Sequence, residues 1–150
     1  MTLLLEPAHL TAIARHAEAD YPSEACGLIG GIVDGARQVA VQLVPLANAR
    51  TDAARNRYLI DPDAFRRAAA RLDRDDLEIV GVYHSHPDHP SVPSAFDREH
   101  AWPRLVYLIV TVGRGRAGAA RAWMLADDRA AFGEVPITIE PRTVAWQSRS

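Results

Sequence analysis

The chain has 150 residues, of which 48% are hydrophobic and 24% charged, with a formal net charge of −2. That length fits one domain over residues 1–150 with a hydrophobic core of its own. The near-neutral charge argues against general binding to nucleic acid or to an anionic membrane surface. All 17 basic residues are Arg, which excludes Lys-dependent chemistry such as Schiff-base formation.

The N-terminus and the cysteine content limit the location and the metal chemistry. The apolar run in "MTLLLEPAHL" ends at Glu6 with no basic region before it, too short for a signal peptide or a membrane span. We therefore expect a cytoplasmic protein. Cys26 is the only cysteine, so an intramolecular disulfide and multi-cysteine zinc sites are excluded. A metal ion would have to be held by His and carboxylate side chains.

Alternating hydrophobic runs and turn residues predict the elements of the first half of the chain. They are a short edge strand over 2–5, a helix over 6–21, a hairpin of strands 25–33 and 37–46 with a turn at Asp34 and Gly35, a loop over 47–57, a short strand over 58–61, and a helix over 62–76 with Asp61 as its N-cap.

The second half adds a strand over 77–86 that begins buried and ends polar. After it we predict a short helix over 94–102, a strand over 104–112, a turn over 113–120, an antiparallel partner strand over 121–126 and a weak last strand over 134–141. This order of elements favours an α/β domain with a mixed central β-sheet flanked by helices.

Metal-capable side chains are concentrated in "GVYHSHPDHPSVPSAFDREH", residues 81–100. His84 and His86 end the apolar strand, and side chains two residues apart on a strand share one face, about 7 Å apart. Asp97 follows a Pro-rich loop that can fold back toward them. Two imidazoles and one carboxylate form a catalytic zinc set with an open fourth position. The alternative is structural: Ser94 and Asp97 also fit a helix capping box, and strand-end histidines are often solvated.

A hydrolytic metal site also needs a group that accepts a proton and passes it to the leaving amine. Glu24, in "YPSEACGLIGG", is the candidate because it stands at the start of an apolar strand. An acid with a purely structural role has little reason to be preferred at that position. Local sequence does not show whether Glu24 lies near the histidines.

Two segments of the chain resemble the signature of the JAMM, or MPN+, metalloproteases. The signature is a Glu, then H-[ST]-H-P, six residues, and S-x-x-D; "SEACGLIGG" and "HSHPDHPSVPSAFD" fill every position. The order of elements from residue 1 to about 126 resembles that family as well. The fold that this resemblance implies is similar to that of the cytidine deaminases.

The resemblance also implies a role for each motif residue. One zinc ion per chain would be held by His84, His86 and Asp97, with Glu24 as general base and then acid and Ser94 as hydrogen-bond donor to the developing oxyanion. The small bacterial branch of the family implies cleavage after the C-terminal Gly-Gly of a ubiquitin-like or sulfur-carrier protein, for example releasing cysteine. We expect such a tail to lie along an exposed strand edge. Whether the chain forms a homodimer is left open.

Three other functions compete with this one. A binding module could use the zinc ion as a structural clip and recognise a ubiquitin-like tail without cutting it. A zinc deaminase would need a P-C-x-x-C pair that this chain lacks. A cysteine hydrolase could pair Cys26 with His84, but the apolar neighbours of Cys26 favour a buried structural residue.

Further polar residues invite a functional interpretation. We expect His89 and His100 to be solvated loop and helix residues, since a third imidazole ligand would close the open metal position. The loop over 48–57, with three Arg residues, could receive a substrate tail or an acidic partner, or could be only a solvated loop.

Overall fold

A computed structural model describes residues 1–49 and 58–141 and places their strands in one eight-stranded sheet. The strands are β1 (Thr2–Leu5), β2 (Cys26–Asp34), β3 (Arg37–Leu46), β4 (Glu78–Pro87), β5 (Val106–Gly113), β6 (Arg116–Leu125), β7 (Phe132–Val135) and β8 (Ile137–Ile139). The helices are α1 (Pro7–Asp20), α2 (Pro62–Arg74) and α3 (Ala95–His100).

The strand order across the sheet is β7-β6-β5-β4-β2-β3-β1-β8. Strand β1 runs parallel to β3 and β8, β4 runs parallel to β5, and the remaining neighbours are antiparallel. The sheet is therefore mixed, as the sequence predicted. Its central strands β2 and β4 are paired on both sides, and most of their residues are buried because other elements pack on both faces of the sheet.

Each face of the sheet has its own hydrophobic cluster. Helix α1 packs Ile13 and Ala17 onto one face, together with Tyr83 of β4. Helix α2 packs Ala68 and Leu72 onto the opposite face. Residues alternate between the two faces along a strand, so the face opposite Tyr83 is the one available to His84 and His86.

Local chemistry explains where several elements begin and turn. Asp61 accepts a hydrogen bond from the Ala64 backbone N–H at 3.0 Å and caps α2, as predicted. Gly35, at φ 61°, supplies the left-handed residue that the β2–β3 hairpin turn requires. The N-cap was predicted correctly, whereas the turn, at Gly35 and Ala36, lies one residue after the predicted Asp34 and Gly35.

Four sequence predictions about elements are wrong. β1 is not an edge strand, because β8 pairs beyond it. Residues 58–61 form no strand. Most of the predicted turn over 113–120 belongs to β6, and only Arg114 and Gly115 form the turn. The predicted last strand is two strands, β7 and β8, which pair at opposite edges of the sheet because Pro136 separates them.

Among the described residues, no helix has the length and apolar character needed to cross a membrane.

Candidate metal centre

The β2–β4 pairing brings Glu24 next to the histidines. Cys26 lies opposite His84 in the antiparallel register, and the Ser85 backbone N–H donates to the Ala25 carbonyl at 3.0 Å. The Ser85 hydroxyl in turn accepts from the Ala25 N–H at 2.8 Å. These bonds continue the ladder past the end of β2 and fix Glu24, which is only 2% exposed, beside the end of β4.

The short helix α3 supplies the second carboxylate. Ser94 is its N-cap: the Ser94 hydroxyl accepts from the Asp97 N–H at 3.1 Å, and Asp97 Oδ2 accepts from the Ser94 N–H at 2.8 Å. This reciprocal pair is a capping box. It leaves the Asp97 side chain buried and directed toward the histidines. The structural interpretation of Ser94 and Asp97 therefore holds, and it does not compete with a functional one.

Four of the predicted site residues meet within a few ångströms. Asp97 Oδ2 lies 3.1 Å from His86 Nε2, and Asp97 Oδ1 lies 3.8 Å from His84 Nε2. On the other side of the His84 ring, Nδ1 lies 3.4 Å from Glu24 Oε1. The two nitrogens of His84 thus face different carboxylates, with Asp97 near one and Glu24 near the other.

The interaction between His86 and Asp97 changes the acidity of both groups. Burial acts to lower the pKa of His86, but the hydrogen bonds to Asp97 and to the Pro90 carbonyl outweigh it and raise that pKa. Burial acts to raise the pKa of Asp97, yet the hydrogen bond from His86 and the nearby His84 lower it to about 2. In the absence of a metal ion, the contact therefore favours the protonated form of His86 and the charged form of Asp97.

The donor set fits a bound cation. Glu24 Oε1, His84 Nδ1 and His84 Nε2 are all buried, and none has a hydrogen-bond partner among the described residues. Buried polar atoms normally have partners, so such a cluster needs an explanation. Within residues 1–49 and 58–141, the ion-pair partners of Glu24 and Asp97 are imidazoles only. Two buried carboxylates and two imidazoles constitute a ligand set suited to a divalent metal ion.

Two overlapping ligand sets can be drawn from these residues. One ligand atom from each of Glu24, His84 and His86 lies within 4.8 Å of the others. The sequence-predicted set replaces Glu24 by Asp97. We favour that set because Asp97 faces the Nε2 atoms of both histidines, whereas Glu24 faces Nδ1 of His84.

Two cavities flank the cluster. A polar one of about 670 Å³ is lined by Glu24 and His86 together with Ser94 and the Pro-rich loop. A more apolar one of about 570 Å³ is lined by Asp97 and by aromatic side chains that include Tyr58, Phe65 and Trp102. Phe96 lines both cavities. A ligand can therefore approach the cluster from two sides.

Sequence reasoning missed Tyr58 at the site and named Asn48 only as part of the loop over 48–57 that could receive a substrate tail. The ring of Tyr58 stacks on His84, with centroids 4.6 Å apart and planes 26° from parallel. The Asn48 amide donates to the Glu24 carbonyl at 3.1 Å and accepts from the Leu59 N–H at 2.9 Å. Both residues flank a polar segment without periodicity, so no local pattern could have placed them at the site.

Three other candidate residues contribute no ligand atom to the cluster. His89 is exposed, and His100 is exposed and stacked on Phe96. Cys26 is buried, and this burial raises the pKa of its thiol to about 12, which disfavours the thiolate that a nucleophile needs. Of the Arg-rich loop over 48–57, residues 50–57 lie outside the part of the chain that the structure describes.

Comparison with known proteins identifies similar chains. A family model described as prokaryotic homologs of the JAB domain matches residues 6–126. A desampylase of Haloferax volcanii is 38% identical over 94 residues, which are 62% of this chain and 66% of that relative, just under two thirds of its length. A CysO-cysteine peptidase of Mycobacterium tuberculosis is 27% identical over 132 residues, covering 87% of this chain and 86% of the relative.

The architecture is shared with a solved structure. The solution structure of a protein from Desulfitobacterium hafniense superposes with a TM-score of 0.83 at 27% identity, covering 96% of this chain and 97% of the other. The residues that the family model matches, 6–126, include the strands and the short helix that carry the cluster.

Proposed function

The chain belongs to the family of prokaryotic JAB-domain homologues, and from that premise we propose that it is a zinc-dependent peptidase. Its substrate would be an amide bond that follows the C-terminal Gly-Gly of a ubiquitin-like or sulfur-carrier protein. The observation that supports this proposal most strongly is that the buried side chains of His84, His86 and Asp97 lie together beside Glu24. The names of the desampylase and CysO-cysteine peptidase relatives support the substrate class.

In this proposal one zinc ion is held by His84, His86 and Asp97. Two nitrogen ligands and one carboxylate are typical of catalytic zinc and leave a position open. When bound, zinc would polarise the scissile carbonyl and lower the pKa of water at the site. The Pro90 carbonyl accepts from His86 Nδ1 at 2.8 Å, which leaves the Nε2 lone pair of His86 available to a metal ion.

Glu24 is the proposed general base and acid. Its buried Oε1 has no hydrogen-bond partner among the described residues, so it is free to accept a proton from the attacking water. The water oxygen bonds to the carbonyl carbon, the C–N bond breaks, and Glu24 returns the proton to the leaving amine nitrogen. The polar cavity that Glu24 shares with His86 gives both water and substrate access.

Ser94 is the proposed donor to the developing oxyanion. Its hydroxyl oxygen already accepts from the Asp97 N–H. A hydroxyl carries one donor besides its lone pairs, so the O–H of Ser94 remains available to a substrate oxygen. Ser94 is exposed and lines the same cavity as Glu24.

The strand order bears on the path of the substrate tail. Strands β2 and β4, which carry the site, are paired on both sides, and the edge strands β7 and β8 lie at the ends of the sheet. Among the described residues the strands that carry the cluster have no free edge, and docking of the tail on a strand edge stays a prediction. We propose instead that the tail lies in the cavities beside α3, where small glycines allow close approach to the cluster.

The test is cleavage of a defined conjugate. The zinc-loaded protein is incubated with carrier proteins whose Gly-Gly C-terminus is joined to cysteine or to a lysine side chain, and the products are weighed by mass spectrometry. Wild-type protein should release the carrier with a free C-terminus. Glu24→Gln should lower kcat about 10²–10⁴-fold, while zinc content measured by elemental analysis stays at one ion per chain.

The matched control is Glu99→Gln, which neutralises an exposed carboxylate on α3. It should retain full turnover and full zinc content. The absence of cleavage by the wild-type protein on both kinds of conjugate would contradict the proposed reaction. Retained zinc in a chain without turnover would instead favour a module that binds the tail.

A further inference from the structure

The Pro-rich loop between β4 and α3 is tied to strand β6. Ser91 is buried, and its hydroxyl donates to the Ala119 carbonyl at 2.6 Å. The Trp123 indole N–H donates to the Ser91 carbonyl at 2.9 Å. Ser91 is therefore held by its side chain and by its backbone, through two residues of β6, Ala119 and Trp123.

This attachment stands next to the atom that orients His86. Pro90 directly precedes Ser91, and its carbonyl accepts from His86 Nδ1 at 2.8 Å. The peptide bond between Pro90 and Ser91 is planar, so a displaced Ser91 would carry the Pro90 carbonyl with it. A ligating imidazole takes its ring orientation and its tautomer from the group that its second nitrogen contacts.

Trp123 is itself fixed by neighbours on the sheet. The Arg121 guanidinium lies over the indole ring, 4.7 Å from its centroid. Arg121 also donates two hydrogen bonds of 2.8 Å to the Glu134 carboxylate on β7. The two bonds hold the guanidinium plane in one orientation, and the stacked indole keeps its N–H directed at Ser91.

We propose that Trp123 and Ser91 are positioning residues for the metal centre. They hold the Pro90 carbonyl against His86 Nδ1, so that the Nε2 lone pair points at the shared metal position beside Asp97. The hydrogen bonds of the two residues go to each other and to Ala119, and they act on His86 through the Pro90 carbonyl. This inference rests on the zinc site of the proposed function and adds the residues that set the affinity of that site.

The test measures zinc binding instead of turnover. Trp123→Phe keeps a large aromatic ring and removes the N–H donor, and Ser91→Ala removes the hydroxyl. In competition with a chromophoric chelator, each variant should bind zinc about tenfold more weakly than the wild type. In the zinc-loaded protein, NMR should show faster solvent exchange of the His86 Nδ1 proton in both variants.

The matched control is Trp102→Phe, because Trp102 is 59% exposed. It follows α3 in the chain, whereas the Pro-rich loop precedes α3. It should leave both zinc affinity and proton exchange unchanged. If Trp123→Phe and Ser91→Ala lower only the melting temperature, with wild-type zinc affinity and proton exchange, the two residues are structural and the inference is overturned.

Failure of the inference is distinguishable from failure of the zinc site. His86→Ala removes a proposed ligand and should abolish tight zinc binding. If it does so while Trp123→Phe and Ser91→Ala bind zinc normally, only the positioning role is wrong. If His86→Ala binds zinc as the wild type does, the metal site itself is wrong.

Discussion

The site has two halves that are built in different ways. Glu24, His84 and His86 lie on or beside strands β2 and β4, where ladder hydrogen bonds to neighbouring strands fix each backbone position. Ser94 and Asp97 lie on a six-residue helix that follows a Pro-rich loop. That loop and helix are held by side-chain bonds to β5 and β6 and by their own capping box.

The two halves therefore differ in whether the side chains of the site also hold the backbone in place. On the strands, a side chain can be exchanged while the ladder still fixes the backbone. On α3, one side chain serves both purposes: Asp97 Oδ2 caps the helix and lies 3.1 Å from His86 Nε2. Substitutions in the helical half should therefore change stability and chemistry together, and those in the strand half should separate them.

The largest effect expected in the helical half is that of Ser94→Ala. Loss of the oxyanion donor should lower kcat about 10²–10³-fold, and loss of the N-cap should lower the free energy of unfolding by about 1 kcal/mol. Ser94→Thr keeps the hydroxyl and the cap, and should restore most of both. Steady-state kinetics and urea denaturation measure the two quantities. A Ser94→Ala protein with normal kcat and reduced stability would mean that Ser94 is only a cap.

In the strand half, packing can be perturbed without touching the cluster. A Cβ at Gly27 would lie 2.3 Å from the Tyr83 ring, which is buried under α1. Gly27→Ala should therefore lower the free energy of unfolding by about 1–3 kcal/mol. Gly133→Ala is the control, because a Cβ there meets nothing within 4 Å. Equal denaturation midpoints for the two variants would show that the Tyr83 ring moves aside at little cost, and the packing in this half would then not be rigid.

The smallest effect expected is the pH dependence of the metal-free protein. The lowered pKa of Asp97 gives stability that is present above its ordinary value of 3.8 and is lost as pH falls toward about 2. The raised pKa of His86 gives stability that is present below 6.5 and is lost as pH rises through the raised value. Urea denaturation should therefore show that the pair contributes most, about 2 kcal/mol, between those two ordinary values.

Zinc affinity should follow the opposite trend with pH. A ligating imidazole must be neutral, so zinc binding competes with the protonation of His86 that its raised pKa favours. Affinity should rise with pH until the raised pKa of His86 is passed. Asp97→Asn should flatten the stability profile of the metal-free protein, whereas His100→Gln, at an exposed position, should leave it unchanged. If the stability profile of Asp97→Asn matched that of the wild type, the His86–Asp97 pair would not be the cause of the pH dependence.

The sequence predicted the elements that depend on local patterns. The helix α1, the N-cap of α2 and the hairpin of β2 and β3 are confirmed, although the hairpin turn lies at Gly35 and Ala36, one residue after the predicted position. The errors fall where pairing partners are remote. Residues 2–5 carry no sign that residues 137–139 pair beside them. Likewise, the residues of "YLID" do not reveal that they lack a strand partner among the described residues.

The same division holds within the site. The two-residue spacing of His84 and His86 and the S-x-x-D spacing of Ser94 and Asp97 are local facts, because strand and helix geometry convert them directly into a shared face and a cap. The amino-acid sequence by itself therefore determined which groups could act. Only the sheet register decided that Glu24, sixty residues earlier, lies beside His84. Tertiary contacts likewise placed Tyr58 and Trp123, since burial and pairing between distant segments leave no periodic signal in either segment.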